Sequence, residues 1–504
     1  MCYIKKSISS NRTKKVLRED EFVETKIHSI QYNFLMNVIL KLSSIIFPLI
    51  TFPYVSRILE AAGNGKIAFA SSAVNYFSLF AMLGIATHGV KVCAQCRDDK
   101  TELSRTVQEL LILNAAATFA VYVIFLISIM TVPRFQQERI LMLIMSASIF
   151  LNALGVEWFY QAVEQYRYIT IRNLAFKILS VALMFWLVHD PSDYVIYGAI
   201  TVVGTTGSYI LNVVHLRHFV TLKPVGNYHF RRHLKPVLLF FALTVASSIY
   251  TNLDTVMLGF LAGNQMTGYY NAAVKIKSVL LSLVTALSGV MVPRMSYYIQ
   301  SQRLDEFRNM ARKAMHITLL MALPCTVYFI LEAKAVILFL AGREYLPSVI
   351  PMQVIMPTIL FIGISQVTGL QVLIPLDKGV YTTLSTVAGA IIDFILNCFL
   401  IPGYGAAGAA LATLIAETAV AGIQLMVLKT EHIGFFDWTN LAKAGGACVC
   451  AAAAMVLVEN ILQHYKFLRL CAAAVVFWGI YGLLLLCFRE ENIIKYVKGK
   501  ETLM

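Results

Sequence analysis

Fourteen apolar stretches follow one another along this chain, and the polar connections between them are short. A helix of about 20 apolar residues is long enough to cross a bilayer, and its backbone hydrogen bonds are all satisfied within the helix. Only 14% of the 504 residues are charged, against about 25% in a soluble protein. The sequence therefore predicts an all-α polytopic membrane protein with fourteen transmembrane helices. These segments are expected at residues 32–57, 67–90, 106–131, 139–162, 167–188, 194–216, 236–262, 268–293, 313–333, 348–374, 380–401, 406–428, 440–461 and 468–488.

An internal repeat with an offset of 200 residues relates the two halves of the chain. Residues 62–92 and 262–292 share 11 identities in 31 aligned pairs without a gap. A fixed offset of this kind indicates a duplicated unit. Because six segments separate the copies, an even number, both copies cross the membrane in the same direction. We expect two parallel six-helix lobes and two further C-terminal helices.

The distribution of Lys and Arg predicts that both termini are cytoplasmic. In that orientation 30 of the 42 Lys and Arg lie on the cytoplasmic side and 8 lie outside, as the positive-inside rule favours. The net charge of +14 is explained by loops beside anionic lipid, and no nucleic-acid partner is expected. The expected units are a cytoplasmic N-terminal tail (1–31), an N-lobe (32–220), a C-lobe (221–430), helices 13 and 14 (431–488) and a cytoplasmic C-terminal tail (489–504).

The chain carries no motif of a hydrolase, a metalloenzyme or a nucleotide-binding protein. A complete P-loop, H-E-x-x-H and G-x-S-x-G are absent, and the ten His are scattered along the sequence. Cys93 and Cys96 form a C-x-x-C with no second Cys or His pair nearby, which favours an incidental pair over a metal or redox site. We expect a protein that is not an enzyme and that uses no cofactor and no metal.

Polar residues recur three and four positions apart in four segments, two in each half of the chain. This spacing places them on one face of each helix, and polar faces avoid lipid. Either Ser, Thr and Asn hold neighbouring helices together, or the four faces line one wet cavity between the lobes. We predict the central cavity, with Asn37, Ser44, Thr51, Ser71, Asn75, Ser78, Thr244, Ser247, Thr251, Asn271, Ser278 and Ser282 lining it.

Lysines inside the apolar segments point to an anionic cargo. A Lys near the bilayer centre costs about 2.5–3.5 kcal/mol on insertion scales, although snorkelling can relieve Lys275. Lys41 and Lys275 belong to the polar faces just described, and Asp254 is expected to pair with Lys275. Lys binds phosphate as a point charge, so such a cavity suits a phosphate group. Lys277 lies about 200° around the helix from Lys275 and is expected to point elsewhere.

Asp393 and Glu417 form a second charged pair, at similar depth on adjacent antiparallel segments. One interpretation is a proton or Na⁺ site that couples to transport. The other is a hydrogen-bond network of Asp393, Asn397 and Glu417 that holds the C-terminal half together. The spacing alone is compatible with both.

Six stretches of the sequence, by their order and spacing along the chain, resemble the polysaccharide-repeat-unit flippases (Wzx type) of the MOP exporter superfamily. Members have a MATE-like fold of two six-helix lobes around a central cavity, often with two added helices. Asp393 departs from the resemblance, since an amide is more usual there. The resembling stretches are FASSAVNYFSLFAMLGIATHGVK (69–91), WFYQAVEQYRY (158–168), LDTVMLGFLAGNQMTGYYNAAVKI (253–276), VPRMSYY (292–298), FLAGREY (339–345) and LNCFLIPGYGAAGAALATLIAE (396–417).

The resemblance implies a transporter that moves undecaprenyl-diphosphate-linked oligosaccharide from the inner to the outer leaflet of a bacterial cytoplasmic membrane, by alternating access of two lobes. It implies glycosyltransferases and a polysaccharide polymerase of the same pathway as partners. Lys41 and Lys275 are then expected to contact the diphosphate, with Asp254 orienting Lys275. The alternatives are a lipid II flippase and a cation-coupled multidrug exporter of the same fold. A membrane glycosyl-polymerase is less consistent with the sequence, because no outer loop is long enough for a catalytic site.

Overall fold

The computed structural model describes residues 29–285, 288–431, 433–461 and 466–488, and every regular element in these ranges is helical. The expected tails at 1–31 and 489–504 therefore lie almost wholly outside the described residues. The α-helices are α1 (Ile30–Met82), α2 (Ile85–Gln95), α3 (Lys100–Thr131), α4 (Pro133–Gln137), α5 (Arg139–Gly155), α6 (Glu157–Ala162), α7 (Tyr166–Leu187), α8 (Tyr194–Thr205), α9 (Ile210–Leu216), α10 (Arg231–Leu261), α11 (Gly263–Thr285), α12 (Ser288–Gln300), α13 (Leu304–Leu331), α14 (Ala333–Leu340), α15 (Val349–Ile355), α16 (Thr358–Ser365), α17 (Gly379–Leu428), α18 (Trp438–Ile461) and α19 (Lys466–Cys487).

Eight helical stretches of the described chain are long and apolar enough to cross a membrane, or up to ten if each of two bent pairs counts as one span. Two of the eight each contain two of the segments expected from the sequence, because a single non-helical residue separates their helical halves. That residue is Glu60 in α1 (φ 57°, ψ −177°) and Gly405 in α17 (φ 53°, ψ −128°). The all-α membrane architecture is confirmed, while the count of fourteen helices stays a prediction.

Two large apolar cores lie mainly in different halves of the chain, and the second also includes Phe52 and Ala61 of α1. In the first half, a cluster that contains Phe69 and Phe125 packs α1 against α3, α5 and α8. In the second half, a cluster that contains Tyr345 and Met352 packs α10, α11, α15 and α17. The last two helices, α18 and α19, pack against each other and against α13 around Phe477. This division agrees with two lobes and an added helix pair, and the lobe boundaries stay predictions.

The helices α1 and α11 form the most extensive helix–helix contact of the described chain, and glycines make it close. A Cβ added to Gly268 would lie 1.9 Å from the carbonyl oxygen of Ala61. A Cβ added to Gly65 would lie 1.7 Å from the carbonyl oxygen of Asn264. Small residues let helix backbones approach closely in membranes. The two copies of the repeat therefore meet at their turns, which closes one end of the contact between the lobes.

Candidate functional site

A cavity of about 500 Å³ lies inside the second half of the chain, between α10, α11, α16 and α17. It also contacts the π-helical stretch Gln366–Leu373 that follows α16. We call it the C-lobe cavity. It carries both signs of charge, and its lining includes Asp254, Lys277, Glu417, Thr251, Tyr270, Ser278, Thr413 and Gln424.

The buried carboxylate of Asp254 accepts hydrogen bonds from α11 and from both halves of α17. Asn397 Nδ2 donates to its Oδ1 over 2.7 Å, and Thr413 Oγ1 lies 2.8 Å from its Oδ2. The hydroxyl of Tyr270 also donates to Oδ2. These bonds link α10 to α11 and to both halves of α17, so Asp254 is a structural centre of the C-lobe as well as a wall of its cavity.

Asp393 joins the same network through Asn397. The amide of Asn397 donates to Asp393 Oδ2 over 3.2 Å while it also donates to Asp254. Asp393 is 1% exposed, and neither its Oδ1 nor the Oδ1 of Asn397 has a protein hydrogen-bond partner. The Asp393–Asn397 part of the expected hydrogen-bond network is therefore present.

The predicted pairing of Lys275 with Asp254 is wrong. The ammonium of Lys275 lies 4.8 Å from the ring centroid of Phe52 on α1, and no ion pair joins it to a carboxylate among the described residues. The lysine of α11 that lines the C-lobe cavity with Asp254 and Glu417 is Lys277. Lys275 instead belongs to the contact between the lobes.

Helix geometry explains this difference. Since α10 ends at Leu261 and α11 begins at Gly263, residues equally far from this turn lie at similar depth. Asp254 is thus level with Tyr270, and both Lys275 and Lys277 lie farther along the axis of α11. Direction around the helix, and not depth, therefore separates the two lysines. The stripe of α11 that faces the cavity contains Tyr270, Val274, Lys277, Ser278 and Leu281. It is rotated by one residue from the predicted stripe of Asn271, Lys275, Ser278 and Ser282.

A second cavity, of about 270 Å³, lies inside the first half between α1, α7 and α8. We call it the N-lobe cavity. Ser44 and Thr51 of the predicted polar face line it, together with Lys177, Ser180, Tyr197, Thr201 and Thr205. Lys177 lies within the apolar segment expected at residues 167–188, and no role was predicted for it.

The prediction that all four polar faces line a single cavity between the lobes stays a prediction, and the N-lobe and C-lobe cavities each hold part of the predicted set. Ser44 and Thr51 line the N-lobe cavity, whereas Thr251, Asp254 and Ser278 line the C-lobe cavity. Of the remaining predicted residues, Lys41 and Asn75 are exposed, Ser78 is buried, and Asn37, Ser71, Thr244, Asn271 and Ser282 are half-buried. The side chain of Ser247 lies outside the described part.

A third cavity, of about 530 Å³, lies between α2, α5, α6 and Tyr209, and no sequence pattern predicted it. Lys91, Glu157 and Trp158 are among its lining residues. Glu157 is held by Arg172, whose Nη2 lies 3.4 Å from Glu157 Oε2. These residues come from distant parts of the chain, so only the folded structure brings them together.

Polar contacts connect the lobes at the end where the repeat turns meet. The backbone N–H of Ala61 donates to Glu344 Oε1 over 3.0 Å, and Asn64 Nδ2 donates to the hydroxyl of Tyr345 over 2.8 Å. Arg134 Nε donates to the carbonyl of Gly259 over 2.7 Å. We call these contacts, with the Gly65 and Gly268 contacts, the turn seam.

A buried charged network connects the lobes at the opposite end. His88 Nε2 on α2 lies 2.9 Å from His233 Nδ1 at the start of α10. His233 Nε2 and Arg232 Nη2 lie 2.7 Å and 2.8 Å from Glu109 Oε2 on α3. His88 and His233 are far apart in the sequence, which is why the scattered histidines gave no sign of this cluster.

Comparison with known proteins gives the family. The family model described as "Polysaccharide biosynthesis protein" matches residues 30–299, more than half of the chain. This chain belongs to that family. Within this member, the match covers the first lobe and continues through α10, α11 and most of α12. It therefore includes the N-lobe cavity, Asp254 and the turn seam apart from Glu344 and Tyr345.

Relatives that are named as transporters or flippases align with much of the chain. A putative O-antigen transporter of Escherichia coli (strain K12) is 23% identical over 414 residues, covering 80% of this chain and 98% of its own length. A probable flippase, AglR, of Haloferax volcanii is 26% identical over 287 residues, covering 54% of this chain and 56% of its own length.

Solved structures share the fold. The lipid II flippase MurJ in an inward closed conformation has a TM-score of 0.73 at 16% identity, over 91% of this chain and all of that one. An inward-facing MATE-family multidrug transporter of the MOP superfamily has a TM-score of 0.55 at 12% identity, over 77% of this chain and 98% of that one. At these identities the likeness shows the fold alone, and it confirms the MATE-like architecture.

Proposed function

We propose that this protein is a flippase of the bacterial cytoplasmic membrane that moves undecaprenyl-diphosphate-linked oligosaccharide repeat units from the inner to the outer leaflet, for surface polysaccharide biosynthesis. The family and the O-antigen transporter relative support this role. The observation that carries it is the position of Lys275. Its ammonium lies between the lobes beside an aromatic ring, with no carboxylate partner in the described chain. A charge left unpaired there suits an anionic cargo.

Lys41 and Lys275 remain the proposed contacts of the diphosphate. They lie on α1 and α11, the two helices that pack together across the lobes. Lys41 is exposed on α1, so its ammonium is free to approach an anion. Asp254 is withdrawn as the residue that orients Lys275, because its hydrogen bonds go to Tyr270, Asn397 and Thr413.

Transport by alternating access fits the contacts that join the lobes at both ends. The turn seam closes one end of the contact between the lobes, and the His88–His233–Glu109 network joins them at the other. The excess of Lys and Arg supports cytoplasmic termini, with the turn seam on the outer side. Glycosyltransferases and a polymerase of the same pathway would supply the cargo and consume it. The role needs no catalytic group.

The test of this function is translocation of a defined undecaprenyl-diphosphate-linked oligosaccharide in proteoliposomes. Protein-dependent movement between leaflets is expected, together with restoration of surface polysaccharide in a strain that lacks its own flippase. Transport of lipid II and transport of a cationic dye are measured in the same proteoliposomes as the two alternative cargoes. Preference for lipid II or for the dye would replace the proposed cargo with one of the two alternatives.

The acidic C-lobe cavity supports coupling to a proton or Na⁺. Asn397 bridges Asp254 and Asp393, and Glu417 lines the adjoining cavity. Two carboxylates this close favour sharing a proton or binding a cation, since like charges cannot both be ionised there at low cost. The same acidity is the observation that favours a cation-coupled exporter as the second candidate.

Asp393→Asn and Glu417→Gln are expected to uncouple transport from an ion gradient. In proteoliposomes, the wild-type rate should rise when a proton or Na⁺ gradient is imposed, and the rate of each variant should not. Asp305→Asn is the control, because it removes the same charge from a side chain that is 92% exposed. A gradient response equal to that of the wild type in both variants would show that the network is structural only.

A further inference from the structure

Lys177 is an intramembrane cation held by hydroxyls. It lies near the middle of α7 (Tyr166–Leu187), and its Nζ lies 2.9 Å from Ser43 Oγ and 2.9 Å from Ser44 Oγ on α1. The hydroxyls of both serines donate to the carbonyl of Leu40, over 2.6 Å and 3.2 Å. The two serine oxygens are therefore oriented as acceptors, and each accepts a hydrogen bond from one of the three N–H groups of the ammonium.

The positive charge of Lys177 is not neutralised by direct contact. Among the described residues no carboxylate forms an ion pair with it, and Glu157 acts on it only from a distance. Placing a Lys inside a membrane-spanning segment costs about 2.5–3.5 kcal/mol on insertion scales, and such residues usually pair or mark a path for a charged species. A lysine that only tied α1 to α7 would not need its charge, because a serine or threonine could make similar hydrogen bonds.

The charged residue that lines the N-lobe cavity favours a negatively charged ligand. Lys177 is its one charged lining residue, and the hydroxyls of Ser44, Thr51, Ser180, Tyr197, Thr201 and Thr205 complete its polar wall. The lining includes no carboxylate to repel an anion. Because the hydroxyls of Ser44, Thr51 and Thr201 already donate to backbone carbonyls, recognition of an anion rests on the ammonium of Lys177. The C-lobe cavity, in contrast, has Asp254 and Glu417 beside its lysine. The volume of about 270 Å³ is several times the roughly 30 Å³ that a water molecule occupies in the liquid.

We propose that the N-lobe cavity around Lys177 is a binding site for a phosphate-type anion. The identity of the anion in the transport cycle rests on the proposed function: it is the diphosphate of the lipid-linked oligosaccharide. Lys41 lies about one helical turn from Ser44 on the same side of α1, so it stands beside the cavity as a second cation. An anion that leaves the contact between α1 and α11 would thus meet Lys41 and then Lys177.

The test measures binding of three probes to the purified full-length protein in lipid nanodiscs by calorimetric titration. The probes are farnesyl diphosphate, inorganic diphosphate and farnesol. Lys177→Met is expected to weaken binding of the diphosphate probes by at least about tenfold, because it removes a charge-assisted hydrogen bond. Binding of farnesol should not change. Lys177→Arg keeps the charge and should stay within about threefold of the wild type.

Three comparisons keep the result interpretable. Lys443→Met removes one positive charge at the start of α18, outside both cavities, and should leave the affinities unchanged. Thr201→Val and Thr205→Val keep the volume of the cavity wall, and near-normal diphosphate binding is expected because both hydroxyls already donate to backbone carbonyls. A loss in these variants as large as that in Lys177→Met would contradict recognition by the lysine. Weakening for farnesyl diphosphate alone identifies the lipid headgroup as the ligand, and equal weakening for inorganic diphosphate identifies free phosphate compounds.

Unchanged diphosphate affinity in Lys177→Met would overturn the proposal and leave Lys177 as a structural tether. The outcome is separable from the proposed function. If the wild-type protein translocates the lipid-linked oligosaccharide while Lys177→Met binds diphosphate normally, only this inference fails. If Lys177→Met loses diphosphate binding while the wild type translocates nothing, the site stands and the proposed function fails.

Discussion

Neutralising Lys41 and Lys275 together, as Lys41→Met with Lys275→Met, is expected to abolish surface polysaccharide while the protein remains in the membrane at the wild-type level. Each substitution removes a charged hydrogen-bond donor, which contributes about 1.5–3 kcal/mol to binding of an anion. The loss for the pair should therefore exceed the loss for either single variant. The measurements are surface polysaccharide in a complemented strain and immunoblotting of the membrane fraction.

Methionine preserves most of the aliphatic volume of each lysine, so the packing of Lys275 on Phe52 is largely kept. The matched control is Lys334→Met with Lys443→Met, which removes the same two charges from positions outside the contact between α1 and α11. Near-normal polysaccharide in the Lys41 and Lys275 double variant would remove both residues from the diphosphate site. It would leave Lys177 as the cation with the strongest structural support.

Gly268→Ala is expected to cause the second large effect, because the turn seam has no room for a side chain. The added Cβ would lie 1.9 Å from the carbonyl oxygen of Ala61, so the two lobes must separate at this point. Overpacking costs about 1–3 kcal/mol or more, and a penalty of that size changes the population of a conformational state by about 5–150-fold. The state that is closed at the turn seam should therefore lose population, and export of polysaccharide should fall.

The conformational cause can be measured separately from export. Thr267→Cys places a thiol at a fully buried position next to the seam, and its labelling by a membrane-impermeant maleimide should increase when Gly268→Ala is added. Gly479→Ala is the control, since an added Cβ there meets no atom within 4 Å. Normal export together with unchanged labelling would mean that the seam does not govern the transport cycle.

Much of the fold follows from local sequence properties. The apolar stretches predicted the helices of the described chain, and the turns expected near residue 60 and before Gly405 coincide with the non-helical residues Glu60 and Gly405. Both properties depend on neighbouring residues only, namely the length of an apolar run and the conformational freedom at its end. The repeat also indicated a duplicated unit, and its two turns pack against each other at Gly65 and Gly268.

The candidate sites were predicted less well, because a site depends on how helices are rotated about their axes. Ser44 and Thr51 were grouped on one face of α1, and both line the N-lobe cavity. The rotation that places them there comes from the packing of α1 against α7 and α8. The clusters around His88 and Lys177 join residues more than a hundred positions apart. No periodicity in a single segment contains that information.

Asp254 and the lysines of α11 show most clearly what the sequence determined and what the tertiary structure decided. The sequence by itself determined that α11 carries two lysines about 200° apart and that only one of them can face a given cavity. The tertiary structure decided that Lys277 faces the C-lobe cavity with Asp254, and that Lys275 faces Phe52 on α1. The physical reason is that close backbone packing of α11 against α1, through Gly65 and Gly268, sets the rotation of the helix. A rotation of one residue, about 100°, is enough to exchange the stripe that faces a cavity.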